Sequence, residues 1–263
     1  MNDDGPVTES PWTGLRKLTA ARIALGRAGA GLPTAAHLDF QQAHALARDA
    51  VHLPLDRDDL AARLSVRGFE PVAVESAARD RATYLQRPDL GRLLSDASVQ
   101  KVEGLAGTAP EICFVIADGL SATAVARHAE PMLAAATAGL GLEPGKVALF
   151  IALQGRVALI DAIGGLVGAR FGVMLIGERP GLSSPDSLGL YLTMNPRPGR
   201  TDAERNCLSN IRPGGMRFEE AAHRLVWLVG EAKKLGGTGV ALKDASERLV
   251  LSEGGRNFLL PTA

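Results

Sequence analysis

The chain has 263 residues, with 29 basic and 29 acidic side chains and no formal net charge. It therefore lacks the basic excess that marks nucleic-acid binders and proteins held to anionic membranes. Aromatic residues make up 4%, too few for a platform of stacked bases, and no apolar run is long enough to span a bilayer.

Residues 1–11 are polar, contain two prolines and read as disordered. No basic stretch followed by an apolar one marks a signal peptide, so a soluble, cytoplasmic protein is expected. Residues 12–98 read as a mainly helical region. Leu15, Leu18, Ile23 and Leu25 recur at mixed helical spacing until Gly26 and Gly29 stop the pattern. Leu38, Phe40, Ala43, Ala47, Ala50 and Val51 form a second helical stripe. Pro88 is expected to open a further helix with Asp89 in its first turn.

From residue 99 to 242 the texture changes to alternating strands and helices. Glu111 to Ala117 reads as a strand ending at Asp118-Gly119, followed by a helix that Ser121 should cap. Lys146 to Leu153 is a second strand and Val157 to Val167 a helix. Phe171 to Ile176 is a third strand, Leu188 to Met194 a fourth, and Phe218 to Leu235 an amphipathic helix. This alternation predicts an α/β domain: a Rossmann-like, mostly parallel sheet with helices on both faces. Right-handed crossovers would place Asp118, Gln154 to Val157 and Glu178 on one edge of that sheet, where open parallel sheets bind ligands. Residues 243–263 form a tail with no assigned role.

Several chemistries lack their motifs. The five histidines, His37, His44, His52, His128 and His223, show no metal-ligand spacing. Gly26 to Gly31 (GRAGAG) follows a helical segment rather than a strand and has the wrong glycine order for a dinucleotide fingerprint. Gly119 to Thr123 (GLSAT) is not a nucleophile elbow. Cys113 lies in an apolar run and Cys207 in a polar segment, which fits a reducing compartment rather than a disulfide.

The segment from Gln154 to Pro213 is the most informative. Its buried strand feeds Gly177-Glu178-Arg179-Pro180-Gly181, where Gly177 could let backbone approach a ligand and Pro180 would stiffen the loop. Glu178 could serve a ligand, pair with Arg179 or cap a helix. Val157 could be a core residue or offer its amide at a helix start. Cys207 could be an incidental thiol or a small buried hydrophobe.

QGRVALIDAIG from Gln154, LIGERPGLSSPDSLGLY from Leu175 and RNCLSNI from Arg205, in this order, resemble the small subunit of adenosylcobalamin-dependent ethanolamine ammonia-lyase. RKLTAARIALGRAG from Arg16, LDFQQAHALARDAV from Leu38, YLQRPDLGRLL from Tyr84 and IADGLSATAV from Ile116 agree, so the resemblance runs from Trp12 to Gly239. It implies a carbon–nitrogen lyase, converting ethanolamine to acetaldehyde and ammonia, that is active only with the large subunit in a hetero-oligomer. It also implies that Val157, Glu178 and Cys207 contact cobalamin and that this chain touches no substrate. The chain has no Asp-x-His-x-x-Gly, which fits a cofactor whose own dimethylbenzimidazole stays on cobalt. The family is often found in bacterial microcompartments. Two readings of other classes stand beside it: a stand-alone doubly wound enzyme using a nucleotide cofactor, with Asp118 or Glu178 as acid or base, and a scaffold without cofactor.

Overall fold

Uninterrupted apolar runs make the middle of the sheet. The computed structural model describes residues 7–246, in which the strands are β1 (Val72–Glu75), β2 (Ile112–Ala117), β3 (Ala148–Leu153), β4 (Phe171–Gly177), β5 (Leu188–Met194) and β6 (Asn206–Ile211). The helices are α1 (Thr34–His52), α2 (Arg57–Val66), α3 (Arg81–Gln86), α4 (Asp96–Glu103), α5 (Ala122–Leu140), α6 (Leu159–Val167) and α7 (Phe218–Leu235). Most of the segment expected to be disordered and most of the C-terminal tail lie outside the described residues.

The strands form one sheet in the order β1-β3-β2-β4-β5-β6. Every residue of β2 and β4 is buried, as strands covered on both faces must be. Side chains alternate between faces. Phe114, Ile116, Val173 and Leu175 enter one core with Met132 and Leu133 of α5 and Leu225 of α7. Cys113, Val115, Met174 and Ile176 enter the other with Ile160 and Ile163 of α6. Ser121 caps α5 as expected, its Oγ accepting from the Ala124 amide at 3.1 Å.

The expectation of a mostly parallel sheet needs correction, because the sheet is mixed. Pairings β1–β3, β3–β2 and β2–β4 are parallel, whereas β4–β5 and β5–β6 are antiparallel. The β4–β5 connection contains no helix, and without a crossover the chain doubles back. β6 lies in the segment expected to be polar, and only Leu208 and Ile211 of its six residues are buried, the pattern of an edge strand with one wet face.

The N-terminal region also departs from its helical reading. Residues 13–17 make only a short 3-10 turn, and Leu15, Leu18 and Ile23 stay exposed, with no core to bury a helical stripe. β1 falls inside this region and joins the sheet beside β3. After Pro88 the chain makes a single 3-10 turn, Leu90–Arg92, instead of a helix. α6 begins at Leu159, with Val157 and Ala158 in the preceding turn.

Gly177 has a role different from the expected one. A Cβ there would lie 2.1 Å from the Ser121 carbonyl oxygen and 2.5 Å from that of Asp118. The missing side chain admits the β2–α5 loop of the chain itself. Gly119, at φ +55°, makes the reciprocal approach to the Gly177 carbonyl. Gly177→Ala should therefore cost about 1–3 kcal/mol, the usual range for overpacking a filled site. Thermal unfolding of the variant would show it, and an unchanged midpoint would contradict this packing.

Candidate functional site

The carboxyl ends of β2, β3 and β4 meet α3 and β6 around a cleft of about 420 Å3. Its lining includes Tyr84, Gly119, Arg156, Val157, Glu178 and Arg179. Val157 and Glu178, expected on one edge, are thus brought into one cleft.

Tyr84 forms the wall nearest α3. That short helix is capped by Asp80, whose side chain accepts from the Thr83 amide at 2.7 Å. The Tyr84 ring is fully buried and its hydroxyl donates to the Gly155 carbonyl at 3.0 Å. The guanidinium carbons of Arg156 and Arg81 lie 4.3 and 4.9 Å from the ring centre, within cation–π range. Burial pushes the phenol pKa upward, so Tyr84 stays a neutral donor.

Asp118, next to the lining residue Gly119, is 2% exposed. Its Oδ1 accepts from the Gly155 amide at 3.2 Å, and Arg81 stands 3.5 Å from Oδ2. Burial raises the Asp118 carboxyl, opposed by Arg81 and by the amides of Gln154, Gly155 and Gly119. Asp118 therefore ties the end of β2 to the loop after β3. Gln154 in that loop has φ +57°, a conformation uncommon for a residue with a side chain.

Glu178 is half-buried, and its carboxylate is well supplied from within the chain. Ser187 Oγ donates to Oε2 at 2.5 Å, Ser209 Oγ to Oε1 at 2.6 Å, and the Asn210 amide to Oε2 at 3.1 Å. A carboxylate offers about four acceptor positions, which leaves room for one more donor. Among the described residues no ion pair joins Glu178 to Arg179, which is exposed at the cleft.

Val157 is half-buried in the turn before α6. The amides of Val157 and Ala158 find no acceptor among the described residues, as the first amides of a helix commonly do not. Cys207 does not line the cleft. It is exposed on β6 and stands in register with Tyr191 of β5, which does line it. Desolvation raises its thiol, opposed by the neighbouring Tyr191 hydroxyl. Cys113 and Cys207 are both free.

Behind the cleft, Arg205 Nη1 and Nη2 donate to the two Asp161 oxygens at 2.7 and 2.6 Å. Both side chains are almost fully buried, at 1% and 4% exposure. The pair ties α6 to the start of β6. Burial pushes the Asp161 carboxyl up against the pull of Arg205.

Tyr84, Arg81, Arg156, Tyr191 and Ser209 were not singled out from the sequence. Arg156 could have been, since it precedes Val157 in the same turn. Tyr84 sits on another element and gave no local signal. Among the described residues no cluster of His, Cys, Asp or Glu could hold a metal ion, and no helix is long and apolar enough to cross a membrane.

Residues 9–243 match the profile of the family described as ethanolamine ammonia-lyase light chain (EutC). The chain is 54% identical to the ethanolamine ammonia-lyase small subunit of Ralstonia nicotianae over 264 residues, covering 98% of each chain. It is likewise 54% identical to that of Azotobacter vinelandii, covering 99% of each. With the small subunit of Pseudomonas fluorescens it shares 53% identity over 91% of this chain and 89% of the relative.

Proposed function

The chain belongs to the ethanolamine ammonia-lyase light-chain family, and we propose that it serves as the small subunit of an adenosylcobalamin-dependent lyase that converts ethanolamine to acetaldehyde and ammonia. In this proposal it covers one side of the cofactor and assembles with the large subunit, which holds the substrate. The observation that carries the proposal is the convergence of Val157 and Glu178 in one cleft at the carboxyl edge of the sheet.

The residues present fit such a group. At about 420 Å3 the cleft is near the lower end for a drug-sized ligand, so it can cover one edge of a cobalamin but not enclose it. Neutral amides fringe cobalamin, and the cleft offers matching partners. Glu178 keeps a free acceptor position, and the amides of Val157 and Ala158 are free donors. Cys207, across the β5–β6 pair from Tyr191 of the lining, is the third contact in this proposal, at the margin of the cleft. When bound, the cofactor supplies the radical that removes hydrogen from substrate, with dimethylbenzimidazole kept on cobalt. This chain's residues bind, orient and exclude water. Asp118, buried and hydrogen-bonded, is poorly placed to act as acid or base in the stand-alone enzyme considered as an alternative.

A partner is supported by where apolar surface lies. Among the described residues, exposed large apolar side chains gather in residues 7–53, with Trp12 at 67% and Leu18 at 82% exposure. Exposed apolar surface of this kind marks protein interfaces.

Purified chain with adenosylcobalamin should therefore show no ethanolamine deamination, and activity should appear when a large subunit is added. An acetaldehyde assay across these mixtures is the check. Turnover by this chain alone would overturn the subunit assignment.

A further inference from the structure

Arg156 is unusually well fixed for a cation without a counter-ion. Its amide donates to the Gly91 carbonyl at 2.8 Å. Its stem lies against Gly91, where a Cβ would come within 2.9 Å of the Arg156 Cγ. Its guanidinium lies over Tyr84, with Nη2 3.5 Å from the Tyr84 carbonyl. Nε is buried and has no hydrogen-bond partner. Among the described residues no carboxylate comes within ion-pair distance of it.

The other groups of the cleft sharpen the contrast. Arg81, facing the same ring, has Asp118 at 3.5 Å and donates to the Val51 and Gly119 carbonyls. Glu178, the carboxylate in the cleft lining, is held by Ser187, Ser209 and Asn210. Arg179 adds a second cation without an acid partner among the described residues. Desolvating part of a guanidinium without a counter-charge is costly, and a planar fork of donors suits a phosphate. The cleft lining thus carries two arginines without an acid partner among the described residues, and an anionic ligand would supply the missing counter-charge.

We infer that Arg156 binds the phosphodiester of cobalamin's nucleotide loop, the fixed anion on a rim of otherwise neutral amides. This rests on the cobalamin assignment made above. The free amides of Val157 and Ala158 beside it add donors for the same group.

The test uses the complex of the full chain with its large subunit. Dissociation constants are measured by absorbance titration for adenosylcobalamin, adenosylcobinamide phosphate and adenosylcobinamide, of which the third lacks phosphate. Wild-type complex should prefer the phosphate form over cobinamide. Arg156→Gln should weaken both phosphate-bearing ligands about tenfold or more, the effect of losing a charged hydrogen bond, and leave cobinamide within about twofold. Arg156→Lys, which keeps the charge but loses the fork, should fall between. Equal weakening of all three ligands, or no weakening, overturns the inference while leaving the cobalamin assignment standing. If Arg156→Gln does not assemble, the wild-type preference for phosphate and the Arg156→Lys values decide in the same way. Failure of wild-type complex to bind any of the three overturns the assignment and the inference together.

Discussion

Arg205→Ala should destabilise the protein by about 3–5 kcal/mol, because it leaves the Asp161 carboxylate buried without its cation. For a chain of this size that lowers the melting temperature by roughly 10 °C. The effect should reach the cleft, since the pair joins α6, which follows the Val157 turn, to β6, which carries Ser209. Replacing both partners at once, as Asp161→Asn with Arg205→Met, should recover much of the loss, since no unpaired charge then remains. Calorimetry of the single and double variants would decide. A single variant as stable as wild type would show that the two bonds do not hold the sheet edge.

Glu178→Ala should act on both binding and stability. Its carboxylate accepts from Ser187, Ser209 and Asn210, so truncation strands the buried Ser187 hydroxyl, returns the exposed Ser209 and Asn210 donors to water and loosens the β4–β5 loop against β6. Loss of a charged acceptor is worth about 1.5–3 kcal/mol, which for a ligand contact is roughly ten- to hundredfold in Kd. The expected result is a weaker adenosylcobalamin Kd in the reconstituted complex together with a melting temperature several degrees lower. Ser209→Ala removes one donor while keeping the carboxylate, and should lower stability more than affinity. A Glu178→Ala complex with unchanged Kd and lowered stability would confine this residue to a structural role.

The parts of the fold that were legible in the sequence share one property, a local pattern that fixes local burial. β2 and β4 could be read because both faces are covered and their runs are continuous. α7 could be read from its apolar stripe and α5 from the Ser121 cap that follows a buried strand. β6 was hidden because one face is wet, and β1 because it is four residues long. The direction of β5 was not legible. Its apolar residues suit either sense, and what decides is the helix-free connection from β4.

The site divides in the same way. Strand-end logic was enough to bring Val157 and Glu178 together, because both follow buried strands. It could not supply Tyr84 from α3, nor the donors Ser187, Ser209 and Asn210 that occupy most of the Glu178 carboxylate. Gly177 shows the limit clearly. Its lack of a side chain was legible as a close approach, but what approaches is the chain's own loop at Asp118 and Ser121.

The central claim is that the carboxyl edge of this sheet covers the cofactor, and hydrogen exchange tests it most directly. The complex with the large subunit is followed by mass spectrometry with and without adenosylcobalamin, whose binding is confirmed by absorbance. Cofactor binding should slow exchange for residues 154–160, which include the unpartnered amides of Val157 and Ala158, and for residues 177–181, with no change in α1. Unchanged exchange in both edge segments of a complex with cofactor bound would contradict it.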